Sequence, residues 1–144
     1  MFPAPAPAPL LRVYITACNI KKLDLKFYGI EKCRCWVTVT LGEQTYSTQI
    51  GIGLDPEWEE ETFMTIGDIE NDKVEAVFYV KDATTEVVQQ LGDKQYFGVS
   101  KLLKGKATFK GLVVPGGKAD MMFTAMNFGN DEPPDEDDAF MDFL

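Results

Sequence analysis

No histidine occurs in the 144 residues, and only three cysteines do. The first absence removes the commonest general base and leaves Cys33 and Cys35 without an imidazole to activate them. The second gives an odd, irregularly spaced set, Cys18, Cys33 and Cys35, which builds no secreted disulfide framework. A single Cys-x-Cys pair with no second pair falls short of a zinc site. A glycine-rich phosphate loop is also missing, so the chain reads as non-catalytic. No stretch approaches the ~18 consecutive apolar residues of a membrane span. The opening "MFPAPAPAPLLRV" lacks the basic segment and long apolar run of a leader. A soluble, cytoplasmic protein is the expectation.

What is present is enough for one domain: 45% of the residues are hydrophobic. The net charge is −9, but residues 131–144 hold seven acids and no base, which leaves the body at −2. A nearly neutral body with scattered lysines excludes the clustered basic footprint that nucleic acid demands.

Three regions follow from composition. Residues 1–9 carry the "PAPAPAP" run and read as an extended lead. Residues 10–129 read as the folded domain. Residues 130–144 form an acidic tail ending in Phe140, Met141, Phe143 and Leu144, a composition suited to filling a partner's groove while the acids steer toward a basic surface. Docking of the tail on its own domain is the competing expectation.

Within the domain the apolar period is two. Leu11, Val13, Ile15 and Ala17 alternate with Arg12, Tyr14 and Thr16, and Cys33, Cys35, Val37, Val39 and Leu41 alternate with Arg34, Trp36, Thr38 and Thr40. Further strands are expected at 44–50, 61–66, 73–81, 95–103, 107–114 and 119–128. Eight short antiparallel strands punctuated by Gly, Pro, Asn and Asp predict an all-β sandwich. One segment departs from the pattern: "TTEVVQQLG" (84–92) offers Thr84 or Thr85 as an N-cap and Gly92 as a C-cap, predicting a two-turn helix. In "GLDPEWEEETF" (53–63), Pro56 sets a turn, Trp58 is expected to anchor beneath it, and the glutamates alternate around a strand start.

In order along the chain, "LRVYITACNIKKLD", "CWVTVTL", "GLDPEWEEETF", "AVFYVKD" and "YFGVSKLL" resemble the successive motifs of C2 domains, the calcium- and phospholipid-binding β-sandwiches. The resemblance covers about residues 10–128 and implies an eight-stranded sandwich with three top loops, the predicted helix lying in the third. It also implies a calcium cup built from five loop carboxylates. Two stand in register, Asp24 and Asp82. Another position falls on Arg34 or Cys33, and an arginine there would repel the metal. Asp93, Glu86 and Asp55 are the acids nearest to a rescue. No cofactor is therefore expected, with calcium at Asp24, Asp82 and Asp93 as the residual alternative.

Two binding surfaces remain. The leading expectation is a protein partner engaged through the tail, by Phe140, Met141, Phe143 and Leu144, with membrane docking as the alternative. The top loops point to peripheral association with a phospholipid membrane, through Lys21, Lys22 and Lys26 beside Phe27 and Tyr28, joined by Val87, Val88 and Leu91. The segment matching the family's polybasic strands, "TVTLGEQTYSTQI", has no lysine.

Overall fold

The computed structural model describes residues 7–131, so Phe140, Met141, Phe143 and Leu144 lie outside the described residues. Alternating patterns become two antiparallel sheets. The first is ordered β5 (Glu57–Thr65), β1 (Leu10–Asn19), β10 (Gly117–Ala125) and β9 (Ala107–Val114). The second runs β3 (Gln44–Ser47), β2 (Cys33–Leu41), β6 (Lys73–Asp82) and β7 (Val88–Gln90). The short β4 (Gly51–Ile52) also pairs with β2, and β8 (Gln95–Gly98) pairs with β6 beyond β7. Two of these segments, β4 and β7, fall outside the strands that alternation predicts.

The inner faces close on one core in which Leu11, Val13, Ile15, Val37, Phe78, Leu112, Met121 and Phe123 are all fully buried. Aromatic pairs clip the sheets together: Trp58 of β5 meets Phe78 of β6 edge-on at 6.5 Å, and Phe97 of β8 meets Phe123 of β10 at 5.6 Å. Such contacts add to the area they bury because ring edges and faces carry opposite partial charge. Trp58 does anchor the Pro56 turn. A Cβ built on Gly51 would overlap the Pro56 ring and stand 3.1 Å from Trp58 Nε1, so only glycine allows the approach.

Two local expectations are corrected. The run Leu11, Val13, Ile15 keeps phase, but Cys18 rather than Ala17 is buried next. Ile15 pairs with Met121 and Ala17 with Asp120, so two residues of β1 oppose one of β10. On the other side, Ile15 pairs with Glu60 and Ala17 with Glu57, with Glu59 at φ 48°. A bulge of this kind advances the chain by one residue and turns the opposite face inward.

The helix predicted at 84–92 is absent. Residues 83–85 form a turn, Glu86 takes φ 65°, and 88–90 extend as β7. Asp82 collects Thr84 and Thr85 into a turn before a helix can start, and two β-branched valines favour the extended chain beyond it. Gly92 does adopt φ +75°, but between two strands. Leu91 is fully buried and does not join a loop surface. The one helix among the described residues is α1 (Leu25–Tyr28), capped by Asp24 at its start and by left-handed Gly29 at its end.

Candidate functional site

One end of the sandwich gathers four loops, 20–32, 53–56, 83–87 and 115–116. Backbone bonds tie them: Ile20 N–H donates to Leu54 O (2.8 Å), Lys22 N–H to Gly116 O (3.2 Å) and Ala83 N–H to Lys32 O (2.8 Å). Gln89 Nε2 of β7 donates to Tyr28 O (2.8 Å), fixing α1 against the edge of the second sheet. The rim is therefore assembled from rigid neighbours rather than from one long loop.

The two in-register aspartates are occupied by their own loops. Asp24 Oδ1 accepts from Phe27 N–H at 3.2 Å as the N-cap of α1. Asp82 is buried, and its Oδ1 accepts from Glu31 (3.3 Å), Lys32 (3.0 Å) and Thr84 (3.3 Å) N–H groups. Its Oδ2 accepts from the Thr85 hydroxyl at 3.1 Å. The Lys32 amide above all, with Thr84, Thr85 and Glu31, holds this carboxyl below the usual range against the opposing effect of burial.

The other acids stand elsewhere. Asp93 comes after Gln90, which pairs with Tyr79, and Leu91, whose N–H donates to Phe78 O, so it lies abreast of the middle of β6. At about 3.3 Å per residue it is roughly 15 Å from Asp82 along the sheet. Glu86 bridges Lys81 (3.3 Å) and Asp55 bridges Lys21 (3.3 Å). Among the described residues no group of three or more metal-binding side chains converges. The position opposite Asp82 belongs to Cys33, on the inner face, while Arg34 faces outward and donates to the Cys33 carbonyl at 3.1 Å. A thiol raised to about 11, mainly by burial, stands where the resemblance implies a carboxylate.

The rim combines apolar tips with charges of both signs. Phe27 is 77% exposed, with Val87 and Val88 half exposed, and Lys21, Lys22 and Lys26 are exposed beside them. Tyr28 is half-buried and packs edge-on against Phe27 at 4.9 Å. Lys22 joins Asn19, Lys21, Gly116, Gly117 and Lys118 around an open groove of about 400 Å³.

Register reveals a second part of the rim that alternation and motifs do not mark. Ile52 pairs with Arg34, Arg34 with Lys81 and Lys81 with Val88, giving one cross-strand row with a basic centre and apolar ends. Ile52 is 73% exposed. In the next row Trp36 stacks on Tyr79 at 5.6 Å and 20°. Nothing local in the sequence singles out Ile52, because its row is set by strands about 20 to 35 residues away in the chain. The lysines Lys101, Lys104 and Lys106 are at the opposite end of the sandwich, in the loop before β9.

No family model and no curated protein matches the sequence. Solved structures are similar to it. The C2-A domain of plant Extended Synaptotagmin 1 superposes with a TM-score of 0.69 at 17% identity, covering 88% of this chain and 100% of that one. The C2-A and C2-B domains of Extended Synaptotagmin 2 give 0.61 at 18%, covering 81% of this chain and 39% of that one. Human GIVD cytosolic phospholipase A2 gives 0.65 at 19%, with 86% of this chain on 17% of that one. The chain thus spans under half of the longer proteins. At these identities the likeness establishes the fold: an all-β, antiparallel C2 sandwich, as the ordered motifs implied.

Proposed function

We propose that this C2-fold chain is a non-catalytic targeting module that docks peripherally on anionic phospholipid surfaces without calcium. The observation that carries the reading is the top rim itself. Phe27, Ile52, Val87 and Val88 offer apolar side chains at one end of the sandwich, among Lys22, Lys26 and Arg34, with Lys21 and Lys81 beside them in ion pairs with Asp55 and Glu86. Apolar tips entering the headgroup boundary and cations held just behind them are the two contributions that interfacial binding adds together. Calcium independence is supported by the use of Asp24 and Asp82 as loop acceptors and by Cys33 opposite Asp82. Among the described residues no helix is long and apolar enough to cross a membrane, which is compatible with a cytoplasmic, peripheral placement.

A protein partner held by Phe140, Met141, Phe143 and Leu144 is the other reading, and it stands on the sequence alone.

Vesicle flotation in the presence of a calcium chelator tests the proposal. Recovery is expected with phosphatidylserine-containing vesicles and not with neutral ones, and added calcium leaves it unchanged. Phe27→Ala with Val87→Ala removes apolar area worth about 2 kcal/mol or more, so affinity falls at least about tenfold. Binding that appears only with calcium, or recovery indifferent to vesicle charge, overturns it.

A further inference from the structure

At the end away from the rim, the chain leaves the domain beside a lysine loop. Asn130 N–H donates to Leu102 O (2.9 Å), Lys104 N–H donates to Asn130 O (2.9 Å), and Asn130 Nδ2 donates to Ser100 O (3.2 Å). The loop exposes Lys101, Lys104 and Lys106 and then runs into β9. β9 is the outer strand of its sheet. Among the described residues its backbone is capped at only one end, where the Gln95 side chain accepts from Val113 N–H (3.2 Å) and donates to Val113 O. By the alternation of an antiparallel ladder, the amides and carbonyls of Phe109 and Gly111 face away from β10 in the same way.

One row of the outer face beside this edge is apolar. Phe109 is 77% exposed and pairs with Met122, which pairs with Tyr14, giving one row across three strands. An edge that no described strand pairs, flanked by a ring this exposed, invites another chain. The residues after Asp131 indicate the occupant: Glu132, Asp135, Glu136, Asp137 and Asp138, then Phe140, Met141, Phe143 and Leu144.

We propose that residues 132–144 dock on their own domain along β9, with the acids against Lys101, Lys104 and Lys106 and the apolar end against Phe109 and Met122. Order matches order: lysines come first on the surface and acids first in the tail, then rings on both. Length also suffices. Phe140 lies nine residues beyond Asp131, a reach of about 30 Å, whereas Phe109 is about 10 Å along the strand from Lys106. A tethered segment acts at millimolar effective concentration, which a free partner or a second copy must exceed.

The test uses the full chain with Asp142→Cys carrying a paramagnetic tag. Cys18, Cys33 and Cys35 are all buried and do not compete for the reagent. Amide signals of Lys106 to Gly111 are expected to be lost, and to return when Lys104→Glu and Lys106→Glu are added. Phe140→Ser with Phe143→Ser, which leaves the domain untouched, should restore them as well. Retention of those signals in the tagged chain overturns the proposal, as does loss confined to the top loops. Loss of the same signals in untagged, isotope-labelled chain mixed with tagged chain assigns the surface to a second copy and overturns it too. Vesicle binding is read separately, so either proposal can fail alone.

Discussion

Asp82 shows how a residue type suited to a metal cup can serve structure instead. Four donors, all from the neighbouring loops, converge on one buried carboxylate. Because its folded pKa lies below the unfolded 3.8, its contribution is fully present above that value and is lost as pH falls through the folded one. Thermal melts followed by circular dichroism should therefore show Asp82→Asn melting below the parent at pH 7, with the gap narrowing below about pH 4. Cysteine chemistry is predicted at the same scale. Burial raises Cys33 to about 11, and Cys35 is raised by its contact with Cys18 (3.8 Å between sulfurs) and by burial. Thiols held so far above neutrality are poor nucleophiles. Iodoacetamide at about pH 8, near the ordinary thiol pKa, should leave all three unmodified in the native protein and alkylate all three in denaturant.

At the scale of elements, β5 explains why rigid turn, large aromatic and acids share one short stretch. Trp58 fills the space that Gly51 and Pro56 leave, Glu60 accepts from the Tyr46 hydroxyl and the Gln49 amide, and Glu59 absorbs the bulge. The glutamates belong to strand and hairpin, not to a cation rim. Trp58 Nε1 has no hydrogen-bond partner among the described residues, so the indole contributes by packing alone. Trp58→Ala should cost about 3 kcal/mol in denaturant unfolding, the low end for a half-buried aromatic, while Trp58→Phe should cost less than half of that. The row Ile52, Arg34, Lys81, Val88 is an element-level feature as well. Ile52→Ala should weaken binding to anionic vesicles several-fold without moving the melting temperature, since the side chain is exposed.

For the molecule as a whole, the sandwich keeps its two distinctive surfaces at opposite ends: a rim with apolar tips, and a lysine loop beside Asn130. Calcium would act on the whole fold. A ligand stabilises a folded state by mass action in proportion to its saturation, so an intact cup would raise the melting temperature in millimolar calcium. For this chain, scanning calorimetry in about 1 mM calcium and in chelator is expected to give coincident transitions. A rise of several degrees that vanishes in Asp82→Ala would restore the metal to the account.

Period-two alternation made the strands legible, since which face of a pleat is buried is written in every second residue. The fold followed from motifs in sequence order, and Asp24 and Asp82 could be placed on their loops. Three things were not local and so could not be read. The bulge that buries Cys18 in place of Ala17 depends on how β1 meets both neighbours. The segment at 84–92 carried helix signals that lost to an edge of β6 open to 88–90. The rim position of Ile52 exists only through pairing across neighbouring strands. Alternation and turn residues are properties of neighbours along the chain, and the sequence alone settled them. Which loops abut, which carboxylates are already satisfied and which rows form across strands are properties of neighbours in space, and those came from packing.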